Sequence, residues 1–533
     1  MKTENSVKYY LIIFYIVMIS FPLISQAQVM PEYNTNSPVL LDVSKENTVQ
    51  LEITPQQAIY QRMPTITAVY HGKEITTLHW QAHDGFGVKI AAGNMQLVSK
   101  SPQEIILPQG HGYYALTLQN GDREQHYSFG ILPPILQKQQ DIFGVWVQGM
   151  IEYPKLGVSW TRIPIHYEKW YNRKTNKKYK KHLHTILFKL KQEGISALFY
   201  PKLIPKSISI SHNLIRDDRK SWGIFNQWLT EMVQEFDGEV AAWGLINEPF
   251  AYVLWKIPNK ITMRYWQMMR TIIDKYSSNT PLIGPCLNVH KNAQLRQYYD
   301  LMKSGFGELV DGIELHTYMR NVSHNGVRFS HAMPEDIDWH TRMRKALLIA
   351  GSGKIKHALW ITEMGMPAKY EEELQQASFV TRSALWIKYM QGNGIPIKML
   401  NWHAFSYAQG GNDHARNYSL FRNINTRGKK SRYEKHSPQA RPAAIAYGTS
   451  IRYLNGAKFV RQWSNLPAHT YAFEFINKGK HIVALWTTKG KENIHIPKRI
   501  RQATLSNMFG KKLRVPQKKT LKLSHEPIWI EYK

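Results

Sequence analysis

The stretch that decides how this chain is read is "AAWGLINEPF", residues 241–250: six apolar or small residues that end abruptly in Asn247, Glu248 and Pro249. A strand bound for a core gains nothing from an ionisable tip, because taking an unpaired carboxylate out of water costs free energy. Such a strand makes sense if its purpose is to present Glu248. A second stretch of the same kind, "HALWITEMG" (357–365), ends in Glu363.

Working outward from these two, short apolar runs recur from about residue 140: "DIFGVWVQ" (141–148), "GVSWTRIPI" (157–165), "GISALFYPK" (194–202), "VAAWGLINEP" (240–249), "PLIGPCL" (281–287), "VDGIELHTY" (310–318), "HALWITEMG" and "IPIKMLNWHAF" (395–405). Between them lie stretches such as "SWGIFNQWLTEMVQEF" and "ITMRYWQMMRTIIDKY", whose apolar residues fall three and four apart, the helical period. Eight strand-then-helix units predict an α/β chain built on a (β/α)8 TIM barrel over 138–457. Residues 36–135 alternate in short runs, with "NG" at 120–121 between two of them, and predict an N-terminal β-sandwich. Alternation returns over 458–533 and predicts a C-terminal β domain.

At 533 residues the chain exceeds one ordinary core, in keeping with three parts. Residues 1–27 combine Lys2 and Lys8, the apolar run "YYLIIFYIVMISFPLIS" and small residues at Ser25 and Ala27, the pattern of a secretory signal peptide. An uncleaved anchor is the rival reading. The expectation is an exported protein, periplasmic or secreted, without stable membrane insertion after cleavage. The single cysteine, Cys286, excludes an intrachain disulfide, and "PLIGPCLNV" reads it as structural. The formal net charge of +30 implies an anionic partner, and no nucleic-acid motif is present to make that partner a nucleic acid.

Barrels of this kind carry their chemistry at the C-terminal ends of the strands. Glu248 ends the fourth and Glu363 the seventh, so the two can converge across the mouth. Paired carboxyls there suit glycoside hydrolysis, in which one protonates the leaving oxygen and the other attacks the anomeric carbon. The motifs "GLINEP" and "WITEMG", in this order and spacing, resemble the acid/base and nucleophile strands of the clan A retaining glycoside hydrolases. The flanking β domains are most similar to family 39 and its relatives, with family 5 sharing the site but less of the layout. "RPAAIAYGTSIRYLNGAKFV" (441–460) resembles the segment that closes such barrels.

That resemblance implies Glu248 as acid/base and Glu363 as nucleophile. Glu248 must carry a proton to donate it, and Glu363 must stay ionised to form a glycosyl-enzyme. Asn247 is expected at the sugar 2-hydroxyl, and Arg162, in "WTRIP", as the arginine that keeps the nucleophile charged. In "ELHTY", alternation puts Glu314, His316 and Tyr318 on one face. His316 and Tyr318 match the family's His-x-Tyr positions, although His316 also reads as an ordinary structural histidine. Trp402, at the end of strand eight, is expected to offer a sugar platform. No metal motif is visible and the implied mechanism needs no cofactor.

The segment after strand two, "HYEKWYNRKTNKKYKK" (166–181), holds seven Lys or Arg where the chain average gives about two. The segment 406–441 after strand eight holds eight where about five are expected. Both would line the substrate side, which points to an acidic envelope, capsular or exopolysaccharide as substrate. Two other readings share these residues: a transglycosylase with a sugar acceptor, and a non-catalytic glycan-binding or polysaccharide-assembly protein.

Overall fold

The computed structural model describes residues 49–54, 57–135, 140–146, 153–202, 204–211, 214–249, 257–324, 326–352, 358–404, 417–422, 439–497, 502–515 and 520–533. The signal-peptide segment, the start of the first β region and most of the basic segment after strand eight lie outside them. Among the described residues no helix is long and apolar enough to cross a membrane.

Seven parallel strands form the central sheet, from Ala242–Trp243 (strand four) through Ser196–Pro201 (three), Trp160–Ile165 (two), Phe143–Trp146 (one), Ile397–Trp402 (eight) and Leu359–Met364 (seven) to Ile313–His316 (six). The fifth segment closes the ring by single bridges, Leu282 to Trp243 on one side and Ile283 to Gly312 and Leu287 to Leu315 on the other. A helix follows each strand, from the one-turn Tyr153–Leu156 after strand one to Pro442–Leu454 after strand eight.

The two faces of these strands sort by parity, as the pleat requires. Trp160, Leu198, Tyr200, Ala242, Ile283, Trp360 and Met399 fill the inside of the barrel. Ile163, Phe199, Trp243, Leu315, Ile361 and Leu400 face the helices and join the main core. Strand seven breaks the rule near its end, where irregularities in its pairing fall between Leu315 and His316 on one neighbour and between Ile361 and Met364 on the other. An irregularity of this kind re-aims a side chain. Here it turns Glu363 inward although Leu359 and Ile361 point out.

The N-terminal region forms two sheets, one of three strands (Val49–Thr54, Thr65–Tyr70, Gln103–Glu104) and one of five (Ile59–Tyr60, Arg123–Ile131, Gly112–Asn120, Thr76–Asp84, Lys89–Leu97). Ile66, Ala68 and Tyr70 from the first and Leu78, Leu116 and Phe129 from the second share one apolar cluster. The "NG" signal is a tight hairpin, with Asn120 opposite Arg123 and Gly121 at φ +56°, where a side chain would be strained. The outer face of the five-stranded sheet packs on the last barrel helix. Ser128 Oγ donates to the Ala440 carbonyl at 2.7 Å, and a Cβ on Gly130 would lie 1.9 Å from Ile445 Cδ1.

The C-terminal sheet runs in the order Lys458–Gln462, Thr470–Asn477, Lys480–Thr487, Ile528–Tyr532, Thr504–Asn507, Lys512–Leu513. It covers the helix Glu373–Gly392, which is buried nearly all round, polar side chains such as Gln376, Thr381 and Arg382 included. Their seam centres on Glu335, which accepts from Arg382 Nη2 (2.7 Å), Trp386 Nε1 (3.0 Å) and Trp486 Nε1 (2.9 Å). The two terminal regions also touch each other: Phe509 packs edge-on against Phe86, and Lys511 pairs with Asp84 at 3.1 Å.

Candidate active site

Arg162 rises from the middle of strand two into the barrel and organises the site. Its guanidinium lies 3.7 Å above the Tyr200 ring and is fully buried. Nη1 donates to Glu363 Oε1 (2.6 Å) and to Asn247 Oδ1 (3.1 Å), while Nη2 donates to Glu314 Oε1 (2.7 Å). One cation therefore serves two buried carboxylates and the residue before Glu248.

Glu363 is held on its other oxygen. Tyr318 OH donates to Oε2 at 2.8 Å, and His316 Nδ1 lies 3.5 Å from the same atom. Burial pushes the Glu363 carboxyl up, but the charges of His316, His403 and Arg162 and the Tyr318 hydrogen bond outweigh it and hold the group at about 2. A group so placed stays ionised throughout the physiological range.

Glu248 comes from a different kind of backbone. The sequence predicts a strand to residue 249, yet regular pairing ends at Trp243 and Gly244 N–H makes the last ladder-like bond, to Phe199 O. Ile246 and Glu248 then take φ of +44° and +47°. For a β-branched residue this is a rare conformation, and each such residue costs about 1–3 kcal/mol. The kink lifts Glu248 off the sheet and into the mouth, where its side chain keeps 27% of its exposure against 9% for Glu363. His316 Nδ1 lies 2.8 Å from Glu248 Oε1, so this one ring nitrogen sits between the two carboxylates. Burial lowers the His316 pKa, and the Glu363 charge with the Glu248 hydrogen bond more than offsets this, leaving it raised.

The structure thus brings together Arg162, Asn247, Glu248, His316, Tyr318 and Glu363. Trp402 is not among them, which corrects its reading as a sugar platform. It is fully buried on the helix side of strand eight, its ring against Phe379 and Tyr447 and its Nε1 donating to Tyr418 O at 3.1 Å. The same parity that sends Leu400 outward sends Trp402 outward, and turns the next residue inward. That residue, His403, packs tilted on Trp146 at 4.9 Å and reaches within 3.9 Å of Glu363 Oε2. Sequence reasoning missed it, although strand alternation counted from Met399 points to it.

Glu314 had a face but no role from sequence. Its Oε1 takes a second hydrogen bond from Thr362 Oγ1 at 2.8 Å. Cys286 is buried as expected, but beneath the site: its sulfur, a Glu314 oxygen and a His316 nitrogen lie within 4.8 Å of one another, as do ligand atoms of Glu248, His316 and Glu363. Both sets have the composition of a metal site. In each, however, Arg162 already supplies a cation to a carboxylate of the set, and burial pushes the Cys286 thiol well up, away from the thiolate a metal needs.

The basic segment after strand two is not one long loop. A helix begins at Asn176 and runs to Gln192, so Lys177, Lys178 and Lys181 stand exposed on its first turns, on the side of the barrel where the strands end. Lys180 is drawn to Glu235 at 2.9 Å and lies 4.1 Å above the Trp170 ring.

No protein-family model and no curated protein matches this chain. Among solved structures, it is similar to a family 39 glycoside hydrolase from the gut symbiont Bacteroides cellulosilyticus WH2. The TM-score is 0.70 over 91% of this chain and 100% of the other, at 16% identity. A family 30 endoxylanase from Clostridium papyrosolvens C71 aligns more loosely, with a TM-score of 0.47, 12% identity, and 74% and 96% of the two chains covered. The first of these likenesses spans nearly the whole of this chain and is one of fold.

Proposed function

We propose that this protein is a retaining glycoside hydrolase in which Glu363 is the nucleophile and Glu248 the acid/base. The observation that carries the reading is the meeting of two carboxylates from two strand ends: their oxygens come within 4.8 Å of each other in the barrel mouth. Retaining enzymes hold their carboxyls about 5–5.5 Å apart, whereas inverting enzymes leave about 6.5–9.5 Å for a water. Glu363 is buried and clamped by Arg162 and Tyr318, and Glu248 is the more exposed of the pair.

In the first step Glu363 Oε attacks the anomeric carbon while Glu248 passes its proton to the departing glycosidic oxygen. A glycosyl ester of Glu363 and an ionised Glu248 result. In the second step Glu248 takes a proton from water, the water oxygen attacks the anomeric carbon, and Glu363 leaves as carboxylate. In this reading Asn247, held by the hydrogen bond from Arg162, bonds the sugar 2-hydroxyl. His316 Nδ1–H follows the charge as it moves between the two glutamates.

The substrate in this reading is a polysaccharide, acidic because of the net charge and the exposed lysines beside the mouth, and the protein is exported because its first 27 residues read as a signal peptide. The test is reducing-sugar release from a panel of acidic and neutral bacterial polysaccharides by wild type and Glu363→Ala. Release by wild type alone is expected, with retention of anomeric configuration by NMR. Equal release by both proteins, or inversion, refutes the assignment.

A further inference from the structure

Arg162 is not the only cation inside the mouth. Leu198 and Tyr200 point into the barrel, and strand parity puts Lys202, one step past the end of strand three, on the same side. Its backbone N–H is bonded to Ile165 O at 3.0 Å, which fixes it level with His166 at the end of strand two. Lys202 is partly buried, and its side chain has no hydrogen-bond or ion-pair partner among the described residues.

Its surroundings do not neutralise it locally. Burial lowers the Lys202 pKa, the Glu363 charge opposes this, and Arg162 adds to it. Lys202 in turn helps depress His166 and Lys169, after burial itself, so the three basic groups feel one another. Glu363 and Glu314 are already committed to Arg162. A half-buried ammonium with no partner is costly to keep, and an anion arriving with a ligand removes that cost.

Resting on the glycosidase reading, we propose that Lys202 is a specificity-determining residue that receives a carboxylate or sulfate carried by the sugar bound in the mouth, beside strands two and three. Recognition of charge then takes place within the site and not only through the basic exterior.

The test is calorimetric binding to the full-length Glu248→Gln protein, which prevents turnover. The probes are alginate oligosaccharides with their carboxyl-reduced forms, and carrageenan oligosaccharides with their desulfated forms, so the two anion types are read separately. At least one anionic member is expected to bind tenfold or more tighter than its neutral counterpart. Adding Lys202→Met should weaken that member about thirtyfold, or about 2 kcal/mol at 1.4 kcal/mol per decade, and move the neutral form less than twofold. Lys202→Arg should keep most of the preference, which separates loss of charge from loss of fold. Lys89→Met, which removes one exposed charge from the N-terminal sheet, should change nothing.

Equal losses on charged and neutral ligands, an equal effect of Lys89→Met, or no anionic member preferred overturns the proposal. Cleavage of a neutral glycan with Glu363 required and Lys202 dispensable overturns it while leaving the glycosidase reading intact. Lys202-dependent anion binding without Glu363-dependent cleavage of any glycan does the reverse.

Discussion

Replacing Tyr318 by Phe removes one hydroxyl and little else. The ring is held edge-on by His316, His403 and Tyr418, at 5.6 to 6.2 Å between centroids, and Phe keeps those contacts. The lost hydrogen bond is 2.8 Å long and ends on the Glu363 carboxylate, and bonds to charged groups contribute about 1.5–3 kcal/mol. Taking about 2 kcal/mol at 1.36 kcal/mol per unit, Glu363 should move from about 2 to between about 3 and 4. A carboxylate depressed in the folded state adds stability above its unfolded pKa and loses it as the pH falls through the folded value. The variant should therefore be less stable than wild type by about 2 kcal/mol from pH 7 down to about pH 4. The gap should narrow below about pH 3.5, where the variant's carboxyl has already taken up its proton while wild type goes on losing stability down to about pH 2. Urea unfolding followed by tryptophan fluorescence at pH 7, 5, 4 and 3 measures this. In parallel, kcat/KM on the glycan found by the panel should acquire an acid limb near pH 3–4 that wild type lacks. No gap at pH 7, or a gap that persists undiminished at pH 3, refutes the idea that the phenol holds the nucleophile ionised.

Trp402→Ala should cost about 3–5 kcal/mol, the range for truncating a buried tryptophan, and leave glycan affinity of the folded protein unchanged; a selective loss of affinity would restore the platform reading. Cys286 should not react with an aromatic disulfide reagent in the native protein and should release one equivalent of the reagent's thiolate on denaturation, read by its absorbance. Glu335→Gln should lower the Tm of the barrel and of the C-terminal sheet together, by the equivalent of about 3–5 kcal/mol, because it leaves Arg382 buried without its partner carboxylate; separate transitions would show that this seam does not couple them.

How much of this was legible beforehand depends on whether a signal was local. The period-two and three-to-four spacings are properties of neighbouring residues, so the barrel units could be read off the chain. So could Glu314, His316 and Tyr318 on one face, because strand six keeps its parity to the end. Glu363 could be found as a strand tip but not by parity, since counting from Leu359 sends it to the helices. Only the irregular pairing of strand seven turns it inward, and pairing is set by neighbours far away in the chain. Glu248 falls on the inner side by alternation from Ala242, but the left-handed backbone at Ile246 and Glu248 that lifts it off the sheet is foretold by no propensity. Trp402 failed for a different reason: a large aromatic at a strand tip was taken for a ligand surface, when alternation already assigned it to the helix side and His403 to the mouth. The helix start at Asn176 was hidden by lysines, although Tyr179, Leu183, Ile186, Leu187 and Leu190 carry the apolar stripe that buries it.

The contact between the first and last regions of the chain has a mechanical consequence. Phe86, Phe509, Asp84 and Lys511 join the two ends to each other, while Ser128 and Gly130 fasten the first region to the closing helix of the barrel. The chain is thus laid out as a loop of three bodies in which each leans on the other two. Cutting the backbone between the N-terminal sheets and the barrel opens one covalent link and leaves both surface seams in place. Such a nicked molecule should stay together through gel filtration and come apart only in denaturant, so the order of the three parts along the chain could be rearranged without altering how they meet.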